Sequence, residues 1–360
     1  MSSSDIFQNL NIVDLSTVLA GPSVGSFFAE LGANVVKVEH PKNPDVTRSW
    51  KLESEPVDIP VSAYFSSINY KKKYLQLDLK QDQQYERLME LISSADIVLM
   101  NFKKGGQEQL NITDEQLRAN NKGLIIGKIS GFGDDSDRVA YDLILQAESG
   151  IMSMNGTPES GPVKMPIAFI DVLAAHHLKE GLLIELLKKE SQKKNYVGAS
   201  ISVSLYDAAV SSLVNQASNY LMTGKVPERI GSLHPNIAPY GELFTTKDDK
   251  LITFAIGSNR HFAVLCTFLE LELLLDDDRF STTQHRVKHR NELFRLIQQK
   301  IEQKTALEIL NYMHQNHVPA GEIKNLKDVF KTKEAQSLIL EEKIEGLPTK
   351  RVSSVAFKKK

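Results

Sequence analysis

The stretch NIVDLSTVLAGPSVGSFFAELGANVVKVEH, residues 11–40, decides the fold class of this 360-residue chain. Its two ends, NIVDLS (11–16) and NVVKVEH (34–40), are rich in β-branched and apolar residues and predict two buried strands. The segment between them opens with a Gly-Pro turn, continues with a helical pattern and ends near Gly32. Two strands joined by a helix form a βαβ unit, so we expect a parallel pair with a right-handed crossover.

The same alternation of strand and helix patterns continues along the chain. Further strands are predicted at 73–79, 96–102 and 123–133, with helices at 84–95 and 114–121. Alternation of this kind is typical of an α/β domain with an open, mostly parallel sheet and helices on both faces.

The pattern changes after about residue 220. Residues 221–241 are dense in Gly and Pro and predict a linker, and residues 242–257 predict a hairpin around a Lys-Asp-Asp-Lys turn. Helical patterns follow in RHFAVLCTFLEL, NELFRLIQQKIEQ and ALEILNYMHQNH. We therefore predict a large domain at 1–220, a small α+β domain at 225–315 and a C-terminal segment at 316–360.

Composition excludes several classes of protein. The net charge is −2 and the basic residues are spread along the chain, which argues against a nucleic-acid binder. The single cysteine, Cys266, lies in an apolar helical pattern and predicts a core position without a disulfide or a metal site. The N-terminus lacks the features of a signal peptide, and no apolar run approaches the roughly 18 residues that cross a bilayer. We expect a cytoplasmic protein without metal and without nucleic-acid or membrane partners.

The turn after the first strand offers a first candidate site. A glycine turn at a strand-to-helix junction directs backbone N–H groups toward a bound anion. Gly21 and Gly25 match half of a dinucleotide fingerprint, but Pro22 interrupts it, and Glu39 imitates the ribose-binding acid. The residues alone fit an NAD site or a Gly-Pro turn that only starts a helix.

Polar groups near the ends of later strands also have two interpretations each. Lysines at these places either bind a phosphate-rich ligand or solubilise the surface. They are Lys71, Lys72, Lys73, Lys80, Lys103 and Lys104. Tyr141 and Gln146, near Arg138, fit a polar cleft as well as a buried tyrosine beside a helix surface.

Asp171 lies inside the apolar run of PVKMPIAFIDVLAAHHLKEGLLIELLKKE, residues 162–190. A charged carboxylate among apolar residues is unfavourable unless a partner stabilises it. One interpretation is a helix N-cap, a position that favours aspartate. The other is a carboxylate nucleophile in an apolar pocket, kept ionised by the helix dipole. His176 and His177 follow on the same helix and are predicted to be helix-face residues.

Taken together, these segments resemble the family III CoA-transferases (CaiB/BaiF), the group that includes formyl-CoA and carnitine CoA-transferases. The resemblance rests on the order and spacing of several motifs rather than on one of them. The matching segments are VDLSTVLAGPSVGSFFAELGANVVKVEHP, NYKKKYLQLDLK, ADIVLMNF, ISGFG, YDLILQAESGIMSMNG, VSLYDAAV and HPNIAPYGELFTT. The resemblance implies a Rossmann-like large domain and a smaller domain joined by long linkers. It also implies an interlocked homodimer and a C-terminal segment that returns to the large domain.

The resemblance also implies a chemistry. The catalytic aspartate of the family falls on Asp171, which would carry CoA from an acyl-CoA to a free carboxylic acid through an aspartyl anhydride and an aspartyl-CoA thioester. The implied contacts with coenzyme A are Leu19, Ala20, His40, Leu77, Lys80, Asn101, Phe102, Lys103, Arg138 and Tyr141.

Two positions depart from the family pattern. Leu19 replaces the glutamine of formyl-CoA transferase, which argues against formate and oxalate as substrates. His40 replaces a phosphate-facing arginine that is frequent in the family, so Lys42 or Arg48 is expected to compensate.

Two other functions remain open. A racemase of the same superfamily would have a histidine at the position of Tyr141 and a glutamate near Ser258, and this chain has neither. A non-catalytic acyl-CoA binder would bind CoA without turnover, and Asp171→Ala would not change that binding.

Overall fold

A computed structural model describes residues 6–357. It contains two compact units. The first comprises the described residues up to 152, residues 164–226 and the described residues from 336 onward. The second comprises residues 153–163 and 227–335. Residues 316–335, which the sequence analysis grouped with the C-terminal segment, therefore lie in the second unit.

A six-stranded parallel sheet forms the centre of the first unit. Its strands are β1 (Asn11–Asp14), β2 (Asn34–Glu39), β3 (Lys73–Gln76), β4 (Ile97–Met100), β5 (Ile125–Ser130) and β6 (Ser200–Ser204). The order across the sheet is β3-β2-β1-β4-β5-β6, and every neighbouring pair is parallel. This is the order of a doubly wound fold, so the predicted open parallel sheet is confirmed.

Helices flank this sheet. They are α1 (Ala20–Glu30), α2 (Ala63–Ser67), α3 (Asp82–Ser93), α4 (Gly106–Gln109), α5 (Asp114–Asn120), α6 (Asp142–Glu148), α7 (Ile151–Met154), α8 (Phe169–Gln192), α9 (Leu205–Ser211) and α10 (Val214–Thr223). Two short 3₁₀ helices lie at Val46–Ser49 and Lys193–Asn195. Among the helices of residues 6–357, none has both the length and the apolar character that are needed to span a bilayer.

Both faces of the sheet are apolar because successive strand residues point to opposite sides. Ile12 of β1 and Leu99 of β4 belong to the core on the side of α1, α8 and α9. Their neighbours Val13 and Val98 belong to the opposite core, with residues of α3 and α5. β1 and β4 are therefore buried on both faces, as their apolar pattern indicated. The predicted strand β3, at the edge of the sheet, is partly exposed.

The Gly-Pro pair lies inside α1 rather than in a turn before it. Gly21 and Pro22 occupy the first turn of the helix, which begins at Ala20. Proline is tolerated there because the first amides of a helix have no partner within it. The prediction of a separate Gly-Pro turn is wrong for this reason.

The second unit contains a three-stranded antiparallel sheet and helices. Its strands are β7 (Phe244–Thr245), β8 (Leu251–Phe254) and β9 (Ala320–Glu322). The helices in this part of the chain are α11 (Asn259–Leu269), α12 (Thr283–Lys288), α13 (Arg290–Ile301), α14 (Ala306–Gln315), α15 (Leu326–Val329) and α16 (Lys333–Gln336), with a 3₁₀ helix at Glu272–Leu275. The predicted hairpin and Cys266, which is buried in the core of this unit, both appear as expected.

The C-terminal part of the first unit is a hairpin of β10 (Ile339–Ile344) and β11 (Leu347–Val352). Glu345 and Gly346 connect the strands with φ angles of 51° and 84°, the backbone that a tight hairpin turn requires. Beyond the hairpin, the carboxylate of Glu30 accepts hydrogen bonds from the backbone of Ser354 and Val355. The end of the described chain is thereby fixed to the C-terminus of α1.

Candidate active site

A cleft of about 570 Å³ opens at the carboxyl ends of β1, β4 and β5. The strand order reverses between β1 and β4, and open α/β sheets bind ligands at such a switch point. The cleft is lined by residues 17–20 after β1, residues 101–105 after β4, and a longer loop after β5 that reaches Tyr141. Asp171 of α8 completes the wall.

The two loops at the switch point are joined by one side chain. The amide of Thr17 donates to Oδ1 of Asn101 over 2.9 Å, and Nδ2 of Asn101 donates to the carbonyl of Thr17 over 2.8 Å. This pair of hydrogen bonds holds the loops after β1 and β4 together at the base of the cleft.

The glycines of α1 leave room for side chains of the sheet. A Cβ atom on Gly21 would lie 2.4 Å from Cβ and Oγ of Ser16. A Cβ atom on Gly25 would lie 3.1 Å from Oδ2 of Asp14 and from Nζ of Lys72. The half-match to the dinucleotide fingerprint therefore has a packing explanation, and the spacing gives no support to an NAD site.

Asp171 is the third residue of α8, not its N-cap. The N-cap is Ala168, which provides no side-chain hydrogen bond. Oδ1 of Asp142 accepts a hydrogen bond from the amide of Ile170 over 2.7 Å and so caps the helix from another element. The N-cap interpretation of Asp171 is wrong, because the helix begins three residues earlier than the sequence pattern suggested, with Ala168 rather than Asp171 at the N-cap.

The environment of Asp171 disfavours its charge. The residue is 7% exposed, and its carboxylate forms no hydrogen bond with any residue between 6 and 357. Burial, with a smaller contribution from the negative charge of Asp142, raises its pKa to about 7. The expectation that the helix dipole keeps it fully ionised is therefore wrong. Near neutral pH the group exists in both forms, and the ionised form is a poorly solvated carboxylate.

Aromatic side chains lie close to Tyr141 of the cleft wall. The rings of Trp50 and Tyr64 are 5.1 Å apart, and those of Trp50 and Tyr141 are 6.4 Å apart. Burial raises the pKa of Tyr64 to about 12, and the charges of Asp171 and Asp142 add to this effect. The phenol therefore stays protonated and available as a donor. The sequence analysis named neither Trp50 nor Tyr64, because neither lies at a strand end or in a recognisable motif.

The structure brings together most of the residues that the sequence analysis proposed. Those that line the cleft are Leu19, Ala20, Asn101, Phe102, Lys103, Arg138, Tyr141 and Asp171. Among the cationic groups, Lys103 forms no ion pair with the described residues, whereas Nη2 of Arg138 lies 2.6 Å from Oε1 of Glu148. Lys103 is therefore the freer of these two cations for a phosphate.

Three of the proposed residues lie outside the cleft lining. Nδ1 of His40 accepts hydrogen bonds from the amides of Lys42 and Asn43. Leu77 is buried in the core beside α3 and α5, and Lys80 is exposed. His40 follows β2, and Leu77 and Lys80 follow β3. These two strands form the edge of the sheet on the β1 side of the switch point.

Two basic groups singled out from the sequence are occupied by internal partners. Arg48, expected to compensate for His40, binds Glu39 over 2.6 Å and Glu345 over 3.1 Å. Lys72 is buried and lies 2.7 Å from Oδ2 of Asp14. Neither the surface interpretation nor the phosphate interpretation applies to Lys72.

Comparison with known proteins places these features in one family. The sequence model of CoA-transferase family III matches residues 7–357. The succinate–glutarate CoA-transferase of Agrobacterium fabrum is 33% identical over 336 residues, which cover 92% of this chain and 83% of the relative. The succinyl-CoA:mesaconate CoA-transferase of Haloarcula hispanica is 31% identical and covers 90% of this chain and 81% of its own.

Solved structures show the same architecture. A CaiB/BaiF family protein from Brucella suis superposes with a TM-score of 0.82 at 32% identity, covering 99% of this chain and 93% of its own. The protein Rv3272 from Mycobacterium tuberculosis superposes with a TM-score of 0.83 at 25% identity and the same coverage.

Proposed function

This chain belongs to CoA-transferase family III, and from that premise we propose that it exchanges CoA between an acyl-CoA and a free carboxylic acid with Asp171 as the covalent nucleophile. The observation that carries the proposal is the state of this one carboxylate. It is nearly buried, has no hydrogen-bond donor among the described residues and faces a cleft at the switch point of the sheet. A carboxylate that has lost its water without gaining donors is a stronger nucleophile than a solvated one.

The reaction runs in two covalent halves. The Asp171 carboxylate attacks the thioester carbonyl and expels CoA thiolate, which leaves a mixed anhydride. The thiolate then attacks the aspartyl carbonyl, releases the donor acid as a carboxylate and forms an aspartyl-CoA thioester. The acceptor carboxylate attacks that thioester and expels CoA thiolate, which leaves a second mixed anhydride. The thiolate then attacks the acceptor's carbonyl in this anhydride, which gives the new acyl-CoA and releases Asp171 as a carboxylate. Atoms and charge balance without water, metal or redox partner.

The turn after β1 supplies donors for the oxyanions of these steps. The amides of Leu19, Ala20 and Gly21 form no hydrogen bonds with other described residues, because they precede the first hydrogen-bonded turn of α1. Leu19 and Ala20 line the same cleft as Asp171. Free amides at a helix N-terminus stabilise a developing negative charge in a site that excludes water.

CoA is proposed to follow the edge of the sheet. The residues nearest the reaction would be Leu19, Ala20, Asn101, Phe102 and Tyr141, with Lys103 and Arg138 at the phosphates. We assign the nucleotide end of CoA to the positions after β2 and β3, where His40, Leu77 and Lys80 lie.

Dicarboxylic acids are the substrate class that we propose. Relatives with 29–33% identity are named as transferases of succinate, glutarate, mesaconate and citramalate. One relative of 31% identity is named as an acetyl-CoA:oxalate CoA-transferase. The side chain of Leu19 in the cleft lining, however, offers no hydrogen-bond donor to formate or oxalate. We assign succinyl-CoA as donor and a four- or five-carbon dicarboxylate as acceptor.

A homodimer is also part of the proposal. None of the ten residues of α10 is buried against the described chain, although four of them are large and apolar. These are Val214, Tyr220, Leu221 and Met222, and Leu221 and Met222 are 79% and 86% exposed. Several exposed large apolar side chains on one helix are typical of an interface. The partner proposed for it is a second copy of this chain. Leu221→Glu combined with Met222→Glu should shift the protein from dimer to monomer in light scattering, and an unchanged dimer would exclude α10 from the interface.

The test is a substrate panel. The purified chain is incubated with succinyl-CoA or acetyl-CoA and with glutarate, mesaconate, oxalate or formate, and new thioesters are measured by mass spectrometry. Succinyl-CoA with a dicarboxylate should give the fastest exchange, and hydroxylamine should trap an adduct on Asp171. Asp171→Asn should retain CoA binding and lose transfer by at least about 1,000-fold, while the exposed Asp58→Asn should not change it. Full transfer in Asp171→Asn would refute the mechanism. Exchange of the α-proton without CoA transfer would favour the racemase.

A further inference from the structure

Val18 has a backbone conformation that is unfavourable for its side chain. Its φ angle is 71°, in the left-handed region, and valine is β-branched. Such a conformation costs about 1–2 kcal/mol and persists only where surrounding contacts enforce it. Val18 lies in the turn that lines the cleft between Thr17 and Ala20. The contacts that enforce it therefore decide where the free amides of this turn point.

Two buried charged side chains hold the turn. Both carboxylate oxygens of Asp45 lie 3.3 Å from the amide nitrogen of Val18. Nζ of Lys37 donates to the carbonyl of Ser16 over 2.7 Å and lies 3.1 Å from Oδ2 of Asp45. The side chains of Lys37 and Asp45 have no exposed surface. One ion pair thus binds the backbone on both sides of Thr17.

A second buried ion pair supports the same turn. Oδ1 of Asp14 accepts from the amide of Ser16 over 3.0 Å and from its hydroxyl, and Oδ2 accepts from Nζ of Lys72 over 2.7 Å. Nζ of Lys72 also donates to the carbonyl of Pro22 over 2.8 Å. These contacts and the first ion pair form what we call the buried charge cluster. Its members are Asp14, Lys37, Asp45 and Lys72.

A purely stabilising role does not account for this cluster. Replacing a buried ion pair with apolar side chains of similar volume is often neutral or stabilising, because desolvation offsets the attraction. What apolar side chains cannot replace is the set of hydrogen bonds to the backbone at Ser16, Val18 and Pro22. The contacts therefore indicate that the buried charge cluster orients the backbone of this turn.

We propose that Lys37 and Asp45 are positioning residues that hold the Thr17–Ala20 turn in its strained conformation, so that its free amides face the carbonyl that Asp171 attacks. This inference rests on the proposed function. Neither side chain lines the cleft. They act on the reaction through the backbone of Ser16 and Val18.

A control is available in the same unit. Nη2 of Arg351 lies 2.7 Å from Oε1 of Glu30, and their side chains are 5% and 4% exposed. Glu30 is at the opposite end of α1 from the turn. Glu30→Gln and Lys37→Met each remove one charge of a buried pair, so they should lower stability alike. Only Lys37→Met removes a contact with the turn.

The first experiment compares these two variants in the full chain by hydrogen exchange of residues 16–20, a readout independent of turnover. Lys37→Met should accelerate exchange of the hydrogen-bonded amides of Ser16, Thr17 and Val18, and Glu30→Gln should not. With succinyl-CoA and glutarate, Lys37→Met should lower kcat by about 10- to 100-fold with a smaller change in KM, as expected for a misplaced donor. Glu30→Gln should keep kcat within about twofold, in line with a remote site.

The second experiment uses Val18→Gly. Glycine adopts the left-handed conformation without steric cost. In a double-mutant cycle, Val18→Gly should recover about threefold or more of the kcat lost in Lys37→Met, relative to Val18→Gly alone. If Lys37→Met does not fold, Asp45→Ala takes its place, because it removes both acceptors of the Val18 amide and should likewise accelerate exchange in the turn.

Two results would overturn the inference. One is unchanged hydrogen exchange at residues 16–20 in Lys37→Met. The other is a loss of kcat in Lys37→Met that is no larger than the loss in Glu30→Gln. Absence of transfer in the unmodified chain would instead refute the proposed function, and the exchange measurement would still decide the role of Lys37.

Discussion

Oδ1 of Asp142 accepts the hydrogen bond of the Ile170 amide, 28 positions further along the chain, at 2.7 Å. This contact caps the helix that carries Asp171 and leaves the Asp171 carboxylate without a capping role. It also fixes a second negative charge near the first, which raises the pKa of Asp171 beyond the effect of burial. The carboxylate of Asp142 caps the helix, and the carboxylate of Asp171 remains available to react.

The pH dependence of transfer should report the ionisation of Asp171. The nucleophile must be ionised, so kcat/KM should rise with pH and level off above a pKa of about 7. In Asp142→Asn the like charge is removed, and the rise should move to lower pH while burial keeps it above that of an ordinary aspartate. Profiles of kcat/KM between pH 5 and 9 check this. A rise that does not move would show that Asp142 has no electrostatic effect on the nucleophile.

Asp171→Asn should stabilise the fold at neutral and alkaline pH. The folded-state pKa of about 7 exceeds the ordinary 3.8, so the native state resists ionisation and loses stability as pH rises between these values. Each pKa unit corresponds to about 1.4 kcal/mol, so the gain above pH 7 is on the order of 2–4 kcal/mol.

Chemical denaturation at pH 4 and pH 8 measures this gain. The difference between variant and unmodified protein should be large at pH 8 and small at pH 4. The exposed Asp58→Asn serves as the control, with little effect at either pH. Equal stabilisation by Asp171→Asn at both pH values would exclude an ionisation effect.

Lys103 and Lys80 should differ in their effect on CoA affinity. Lys103 lines the cleft and forms no ion pair with the described residues, whereas Lys80 lies outside the cleft lining. A charge-assisted hydrogen bond contributes about 1.5–3 kcal/mol, so Lys103→Ala should weaken CoA binding by about 10-fold or more. Lys80→Ala should weaken it less. Calorimetric titration with CoA measures both, and an equal loss would place the phosphates beyond the cleft.

Gly25→Ala should destabilise the first unit. The added Cβ would lie 3.1 Å from Oδ2 of Asp14 and from Nζ of Lys72, and both of these side chains are fully buried. We expect a loss on the order of 1–3 kcal/mol, as for other overpacked sites. Gly123→Ala is the control, because its nearest neighbour would be 3.8 Å away. A neutral Gly25→Ala in thermal denaturation would show that the ion pair can shift.

The sequence was informative where local pattern and function coincide. The β1–α1–β2 unit follows from apolar runs and one helical pattern, because each element is fixed mainly by its own residues. Asp171 stood out because a carboxylate inside an apolar run requires a reason. The edge strand β6 was not predicted, since the serines of SISVS weaken the apolar pattern of a buried strand.

The remaining features depend on contacts between distant parts of the chain. Asp142 caps a helix that begins 27 residues after it, in α8, and no local pattern pairs the two. Tyr64 lies close enough to Asp171 for the charge of Asp171 to raise the pKa of the phenol, although the two residues are far apart in the sequence. Neither of the two interpretations of Lys72 included a buried ion pair, because its partner, Asp14, is 58 positions away. Pairings of this kind are determined by tertiary structure, so they require coordinates.

The exposed surface of α10 has a consequence for the stability of the isolated protomer. A helix that buries none of its own residues contributes little to the stability of an isolated protomer. If a second copy covers it, association and folding share one equilibrium, and the melting temperature should rise with protein concentration. Dilution alone would then lower the stability of the folded protein.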